Sequence, residues 1–236
     1  WDMVRDGELA ASHFLKAALQ ALDVEEHSSV IQGLLGRITT CLSAFLPPAV
    51  RRDLAPGTAD RLLELARAAQ AGSDKQLQLV RAVAAHAVTG EQLDVVAGFL
   101  EGTSALEGLD VDQDLRWDLL TGLVAAGRFG EDRIHAEEAR DRTTTGRERA
   151  AEARASIPTP EAKEATWRAL VDDASMPNET QVRVLRGLTS VERRPDLLVP
   201  FVSEYVEAID SLWSSRTFHM AENLLTGLWS CATVGL

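Results

Sequence analysis

Residues 115–173 decide the fold, and they read LRWDLLTGLVAAGRFGEDRIHAEEARDRTTTGRERAAEARASIPTPEAKEATWRALVDD. Two apolar stripes recur there at helical spacing: Leu115, Leu119 and Leu123 on one face, and Trp117, Leu120 and Val124 on another. Because two stripes leave only a narrow polar sector, we expect this helix to be covered on more than one side. The next predicted helix, 131–141, is far more polar and is expected to lie in an outer layer. A buried helix paired with a solvated one predicts a helical solenoid.

Helical periodicity extends along the rest of the chain. It predicts helices over 3–22, 24–45, 49–54, 58–71, 73–88, 91–100 and 218–231, and helices that begin at Thr159-Pro160, Asn178 and Pro195. Pro47 and Pro48 are expected to end the second helix, and Pro56-Gly57 predicts a turn. The alternation typical of strands is missing, and no fixed-period repeat is visible. We therefore predict an all-α fold: an irregular HEAT-like or armadillo-like superhelix of antiparallel helix pairs, curved with a concave face.

Composition excludes several classes of function. The 236 residues carry a formal net charge of −12, which argues against nucleic acid or an anionic membrane surface as a partner. The longest uncharged run, 38–50, is too short to span a bilayer. Cys41 and Cys231 lie in apolar helical contexts and are expected to be buried thiols rather than a disulfide.

The chain is expected to form one helical domain, 1–236. Residues 101–114, with five acids and no base, predict a loop or subdomain junction. The start of the chain has no initiator methionine and no signal-peptide pattern, so we expect a fragment of a longer, cytoplasmic protein.

Metal-binding patterns fail on inspection. The segment from His135 to Ala139 lacks the second histidine and the correctly placed glutamate of H-E-x-x-H, which indicates a solvated helix face. Asp110, Asp112 and Asp114 match the start of a calcium loop, but the obligatory glycine and the final glutamate are missing. These acids are better explained as caps of the following helix.

Other reactive motifs are missing from the sequence, which contains no nucleophile elbow, no reactive-cysteine signature and no nucleotide-binding glycine loop. The five tryptophans (1, 117, 167, 213 and 229) stand beside leucines and are expected in the core, as is His86. Arg183 and Arg186, three residues apart on one helix face, could meet a peptide carboxylate. The alternative is that this pair is simply solvated.

Four segments together carry a family resemblance. They are WDMVRDGELAASHFL (1–15), LRWDLLTGLVAAG (115–127), DRIHAEEARDRTTTGRERAAEARASIPTPEAKEATWRALV (132–171) and LLVPFVSEYVEAIDSLWSSRTFHMAE (197–222, with Tyr205, Trp213 and Arg216). In this order they resemble the C-terminal helical domain of the aminopeptidase N family of zinc metallopeptidases, which includes the endoplasmic-reticulum aminopeptidases. The first segment resembles bacterial members.

The resemblance implies that the chemistry lies in upstream domains. In that family a thermolysin-like domain supplies H-E-x-x-H, a further glutamate ligand of zinc and a G-A-M-E-N segment, none of which occurs here. The resemblance implies a non-catalytic fragment without its own metal or cofactor, the zinc being held by the catalytic domain of the parent aminopeptidase. Its partners would be that catalytic domain and peptides, which it would enclose in a chamber that limits access and length. It transfers no individual peptide-contacting residue.

Two other functions compete with this interpretation. A free-standing helical-repeat scaffold could bind a partner protein in its concave groove, and the physics of the fold alone does not separate the two. An enzyme in its own right is the third, and no motif supports it.

Overall fold

The structure is a computed structural model that describes residues 1–190 and 194–233, with side chains described as far as Trp229. All regular elements in these ranges are helical, which confirms the predicted all-α class. The α-helices are α1 (Asp2–Arg5), α2 (Ala11–Val24), α3 (Ser28–Thr40), α4 (Pro48–Ala68), α5 (Asp74–His86), α6 (Gly90–Glu101), α7 (Gln113–Ala125), α8 (Glu131–Arg140), α9 (Thr144–Ala155), α10 (Pro160–Asp172), α11 (Asn178–Thr189), α12 (Phe201–Ser215) and α13 (Phe218–Thr233). A π-helical turn, Cys41–Phe45, and a 3₁₀ turn, Pro195–Leu198, complete the set.

The described helices form two compact units, 1–122 and 123–236. In the first unit, α2 packs against α3 and α4, while α5 packs against α3 and α4. Leu22, Ile31, Ile38, Leu62, Leu79 and Val83 are fully buried in this unit. Both predicted stripes of α7 are also buried, as expected for a helix that is covered on more than one side. His86 is buried as predicted, and its Nε2 lies 2.9 Å from Oγ1 of Thr39.

Two predicted helix boundaries in this unit are wrong. The helix predicted over 3–22 is divided into α1 and α2, and Gly7 adopts a φ of +75° between them, a conformation that glycine reaches without steric cost. The turn predicted at Pro56-Gly57 does not form, because α4 continues through both residues. Tertiary contacts override the local signal: Nε2 of Gln92 on α6 donates to the Pro56 carbonyl at 2.9 Å and to Asp60 Oδ1 at 2.6 Å.

The second unit is layered. Along one series of helices α9 contacts α11 and α11 contacts α13, while α10 contacts α12 in a second series. The two series are joined where α10 meets α11 and where α12 meets α13. The indole of Trp167 stacks on the Phe201 ring, with 5.0 Å between ring centroids, in the centre of the apolar core. Thr159 caps α10 as predicted, since its Oγ1 accepts from the Ala162 N–H at 3.2 Å.

Residues 102–112 form a loop, as the acidic composition predicts. The division into two units falls inside α7, and a subdomain junction near 101–114 stays a prediction, as do the superhelical curvature and the concave face. Within the described ranges, none of the helices combines the length and the apolar character needed to cross a bilayer.

Candidate functional site

The two arginines predicted to contact peptides, Arg183 and Arg186, lie on α11 around one buried carboxylate. Glu152 on α9 is only 5% exposed. Its Oε2 lies 3.2 Å from Nη1 of Arg183 and 3.2 Å from Nη1 of Arg149, and its Oε1 lies 3.8 Å from Nη1 of Arg186. The helices approach this closely because Gly187 has no side chain: a Cβ there would lie 2.3 Å from the Glu152 carbonyl oxygen.

Arg183 is held between two carboxylates. Besides Glu152, it contacts Glu179, whose Oε1 lies 3.1 Å from Arg183 Nε. Burial lowers the pKa of Arg183, but the charges of Glu152 and Glu179 outweigh this effect and raise the pKa above its ordinary value. The guanidinium of Arg183 is therefore charged and already occupied, and its main role is to fix the cluster.

Arg186 has a more open environment. Its side chain is 61% exposed, and it reaches Glu152 at the longest distance of the three arginines. It also borders a groove of about 350 Å³ between α11 and α13, lined in addition by Val182, Leu185, Thr189, Asn223, Thr226 and Gly227. Of the two predicted residues, Arg186 is the one that lines this groove.

The groove combines an apolar floor with a positively charged rim. Three guanidinium groups share the carboxylates of Glu152 and Glu179, so formal positive charge remains on the side where Arg186 is exposed. An arginine in this position can hold a carboxylate by charge-assisted hydrogen bonds, while the floor accepts an apolar side chain. The arrangement therefore places one exposed guanidinium beside apolar side chains.

The residues around His135, which were considered as metal ligands, form ion pairs. His135 Nε2 lies 3.2 Å from Glu131 Oε1, and Arg154 holds Glu131 at 2.7 Å and Glu138 at 2.6 Å. The solvated face predicted for this segment is correct for the exposed His135 but not for Glu137, which is buried. Within the part of the chain that the structure describes, no three His, Cys, Asp or Glu side chains are grouped so as to hold a metal ion.

One of the three aspartates near the start of α7, Asp112, caps this helix. Oδ1 of Asp112 accepts a hydrogen bond from the Leu115 N–H at 2.8 Å, the geometry of an N-cap. Asp114 lies in the first turn of α7, so the prediction that acids stabilise this end of the helix is confirmed for Asp112 and Asp114.

A family comparison identifies the domain. A family model described as the ERAP1-like C-terminal domain matches residues 1–233. The chain belongs to this family. The match confirms the resemblance drawn from the four sequence segments, and it places both Arg186 and its groove inside the ERAP1-like C-terminal domain.

A curated relative shows the same likeness. The chain is 39% identical over 234 residues to an Aminopeptidase N from Streptomyces lividans, an alignment that covers 99% of this chain and 27% of that protein. The ERAP1-like C-terminal domain described here therefore spans about a quarter of the length of that relative. Both comparisons support a C-terminal domain of aminopeptidase N.

The tryptophan prediction is only partly correct. Trp117 and Trp167 are buried in the core, whereas Trp213 is 53% exposed and Trp229 is 57% exposed. The Trp213 ring meets Phe218 and the Trp229 ring meets Tyr205, each edge to face, and about half of each indole stays exposed. Cys41 is a buried, free thiol as predicted, and burial raises its pKa. The side chain of Cys231 lies outside the described residues.

Sequence reasoning missed Lys163, which is fully buried on α10. Its Nζ donates to the carbonyl oxygens of Ala155 at 2.7 Å and Gly187 at 2.9 Å. These carbonyls belong to the last turns of α9 and α11, where the helix dipole favours a positive charge. The burial of Lys163 could have been predicted from the sequence. Lys163 shares an i, i+4, i+7 stripe with Trp167 and Leu170, which puts it on the apolar face of α10.

Proposed function

We propose that this chain is the non-catalytic C-terminal domain of a zinc-dependent aminopeptidase. It packs over the catalytic domain and encloses the chamber in which peptides lose their N-terminal residues, so that it controls the access and length of substrates. The observation that carries the proposal is the 39% identity to Aminopeptidase N over 99% of this chain, joined to the family match over residues 1–233.

The groove between α11 and α13 supplies the peptide contact in this proposal. Arg186 binds the carboxylate of a peptide's C-terminus, and Arg183 fixes Glu152 so that Arg186 keeps its position. Support comes from the exposed guanidinium at the rim of the groove and from the apolar residues Val182 and Leu185 beneath it. Because the groove lies outside the catalytic domain, such a contact would favour peptides long enough to reach it.

The cofactor and the location follow from the same proposal. Zinc is bound by the catalytic domain of the parent chain, which is the domain's principal partner, and peptides are the second partner. We place the parent enzyme in the cytoplasm, and the free thiol of Cys41 supports a reducing compartment.

The test is a kinetic comparison in the full-length parent enzyme. We expect Arg186→Gln to raise KM several-fold for peptides of about ten residues with a free C-terminal carboxylate, while an aminoacyl reporter substrate is cleaved as before. Peptides amidated at the C-terminus should show no difference between the two enzymes. Arg168→Gln removes another exposed arginine of the same unit, ion-paired to Glu164 at 2.9 Å, and serves as the matched control. Equal KM values for acid and amide peptides in all variants would refute the assignment of Arg186.

A free-standing scaffold is the second candidate, and the exposed indoles of Trp213 and Trp229 favour it, since exposed apolar surface is typical of interaction sites. The mass of the native polypeptide separates the two functions. A native chain roughly four times heavier than 25.6 kDa agrees with the aminopeptidase, because the alignment with this chain covers only 27% of the length of the Streptomyces protein. A native product near 25.6 kDa agrees with the scaffold.

A further inference from the structure

Helix α12 has two apolar stripes, and the described residues of the second unit cover one of them almost fully and the other in part, since Ile209 of the second stripe packs against the core. The inner stripe, Phe201, Tyr205, Ala208 and Leu212, packs into the core. The outer stripe consists of Val202, Val206, Ile209 and Trp213, spaced four, three and four residues apart. Val206 is 62% exposed and Trp213 is 53% exposed. Spacings of three and four share one helix face, so the outer stripe is a continuous line.

Helix α13 repeats this arrangement. Its inner stripe is buried at Ala221, Leu224 and Leu228. Its outer stripe, Phe218, Leu225 and Trp229, is exposed at both ends. Because α12 packs on α13 and the Trp213 and Phe218 rings touch edge to face at 5.6 Å, the two outer stripes form one surface. We name the outer stripes of α12 and α13 together the outer seam.

The fold of the second unit indicates what shape fits the outer seam. One layer earlier, α10 is covered by α12 and α11 is covered by α13. Helices therefore stack on helices throughout this unit, and the seam repeats the 4-3-4 spacing that lets another helix insert its side chains. An α-helix with an apolar stripe is the occupant that continues this packing.

The charges around the seam specify the partner further. Glu222 stands within the outer stripe of α13. Glu207 and Asp210 lie beside the outer stripe of α12, on the side away from its inner stripe. From 201 to 229 the sequence has four carboxylates against one arginine, Arg216, which donates to the Val171 carbonyl at 2.8 Å. A second copy of this acidic surface would bring like charges together. A helix with lysine or arginine beside its apolar stripe would pair with them instead.

We infer that the outer seam is the docking site of a basic amphipathic α-helix from outside these 236 residues. Trp213, Phe218 and Trp229 anchor the apolar stripe of that helix. Glu222 and Asp210 fix its orientation through ion pairs. Exposed indoles surrounded by complementary charge are the usual centres of binding energy in such grooves.

The test uses the whole 236-residue chain and two dye-labelled model helices of about three heptads, with leucine at the a and d positions. One carries lysine at the flanking positions and the other carries glutamate. Fluorescence anisotropy should show binding of the lysine helix and binding about tenfold weaker, or none, of the glutamate helix. Trp213→Ala combined with Phe218→Ala should weaken the lysine helix about tenfold. Both side chains are mostly exposed, so circular dichroism should show an intact fold.

Charge reversal separates docking at the seam from general attraction to an acidic protein. Asp210→Lys with Glu222→Lys should reverse the preference between the two model helices. Asp53→Lys with Glu107→Lys reverses two exposed acids of the first unit and should leave both affinities unchanged. Equal binding of the two helices, or equal losses in the two double variants, would overturn the inference. So would a concentration-dependent dimer in sedimentation equilibrium that Trp213→Ala dissolves, because the occupant would then be a second copy.

Discussion

The two units bury different kinds of polar group. In the first unit three of the five buried polar side chains are neutral, Thr58, Gln76 and Gln92, and the other two are His86 and Lys75. Among the described residues of the second unit most of the buried polar side chains are ionisable: Glu137, Asp141, Arg149, Glu152 and Lys163, beside the neutral Ser156 and Gln181. The first unit is therefore joined mainly by neutral hydrogen bonds and the second largely by buried charges.

This difference determines how each unit responds to substitution. A neutral group that loses its partner near a loop can be hydrated again at modest cost. A buried charge that loses its partner cannot be hydrated in the same way, because water does not reach it. The candidate peptide groove lies in the unit whose helices are fixed by charge, which keeps Arg186 at a defined place.

The largest effect is expected at Glu152. Glu152→Gln removes the charge of the buried carboxylate that pairs with the buried Arg149 and the half-buried Arg183, while Arg183 keeps its second ion pair with Glu179. We expect the free energy of unfolding of the second unit to fall by about 3 kcal/mol, measured by urea denaturation together with amide exchange in α9. Glu148→Gln, one turn earlier on the same helix, should cost less than about 0.5 kcal/mol. Similar losses in both variants would remove the distinction between the units.

The next largest effect is expected at Lys163. Lys163→Met keeps much of the side-chain volume, but the carbonyls of Ala155 and Gly187 lose their buried donor. The expected loss is about 2 kcal/mol, seen as a lower urea midpoint. Lys16→Met, an exposed lysine on α2, is the matched control and should be near neutral. If Lys163→Met were stabilising, buried charge would not be holding α9, α10 and α11 together.

A smaller effect is expected at Gln92 in the first unit. Its Oε1 accepts from the N–H groups of Val88 and Thr89, and its Nε2 donates to Pro56 and Asp60. Gln92→Met should cost about 1 kcal/mol, because Val88 and Thr89 are partly exposed and water can replace the lost acceptor. A loss equal to that of Glu152→Gln, in the same denaturation experiment, would contradict the comparison.

The smallest effect is a pH dependence at the surface of the first unit. The Ser28 hydroxyl, and then Gln78, donate hydrogen bonds to Asp74 and lower the pKa of its carboxyl below the ordinary value. A lowered pKa gives stability that is complete above the unfolded-state pKa, about 3.9, and is lost as the pH falls through the folded-state pKa. Asp74→Asn should reduce the loss of Tm on acidification below about pH 4, and Ser28→Ala should do so in part. Unchanged acid dependence in both variants would rule out this contribution.

The sequence predicted most of the helices, but not which elements each helix contacts. Apolar spacing is a local property, so the two stripes of α7 and the cap at Thr159 were predictable. The turn predicted at Pro56 was wrong because the hydrogen bond that accompanies its helical conformation comes from Gln92, which is 36 residues away in the sequence. Trp213 and Trp229 were wrongly predicted to lie in the core, because helical spacing locates an apolar stripe but does not show whether another element covers it.

The candidate site was predictable to a similar degree. Spacing placed Arg183 and Arg186 on one face of a helix. It could not reveal that Glu152, 31 residues before Arg183, occupies Arg183 and leaves Arg186 facing a groove. The buried hydrogen bonds of Lys163 could have been predicted from the sequence, since a lysine within an apolar stripe needs buried acceptors.

The central claim is that this domain holds peptides and leaves the reaction to another domain. One NMR titration tests it: a peptide of about ten residues with a free C-terminal carboxylate is mixed with the 236-residue chain and zinc. The claim predicts broadening at the C-terminal residues of the peptide, weaker broadening with Arg186→Gln, and no resonances of a released amino acid. Release of the N-terminal residue, or a peptide spectrum that the chain leaves unchanged, would contradict it.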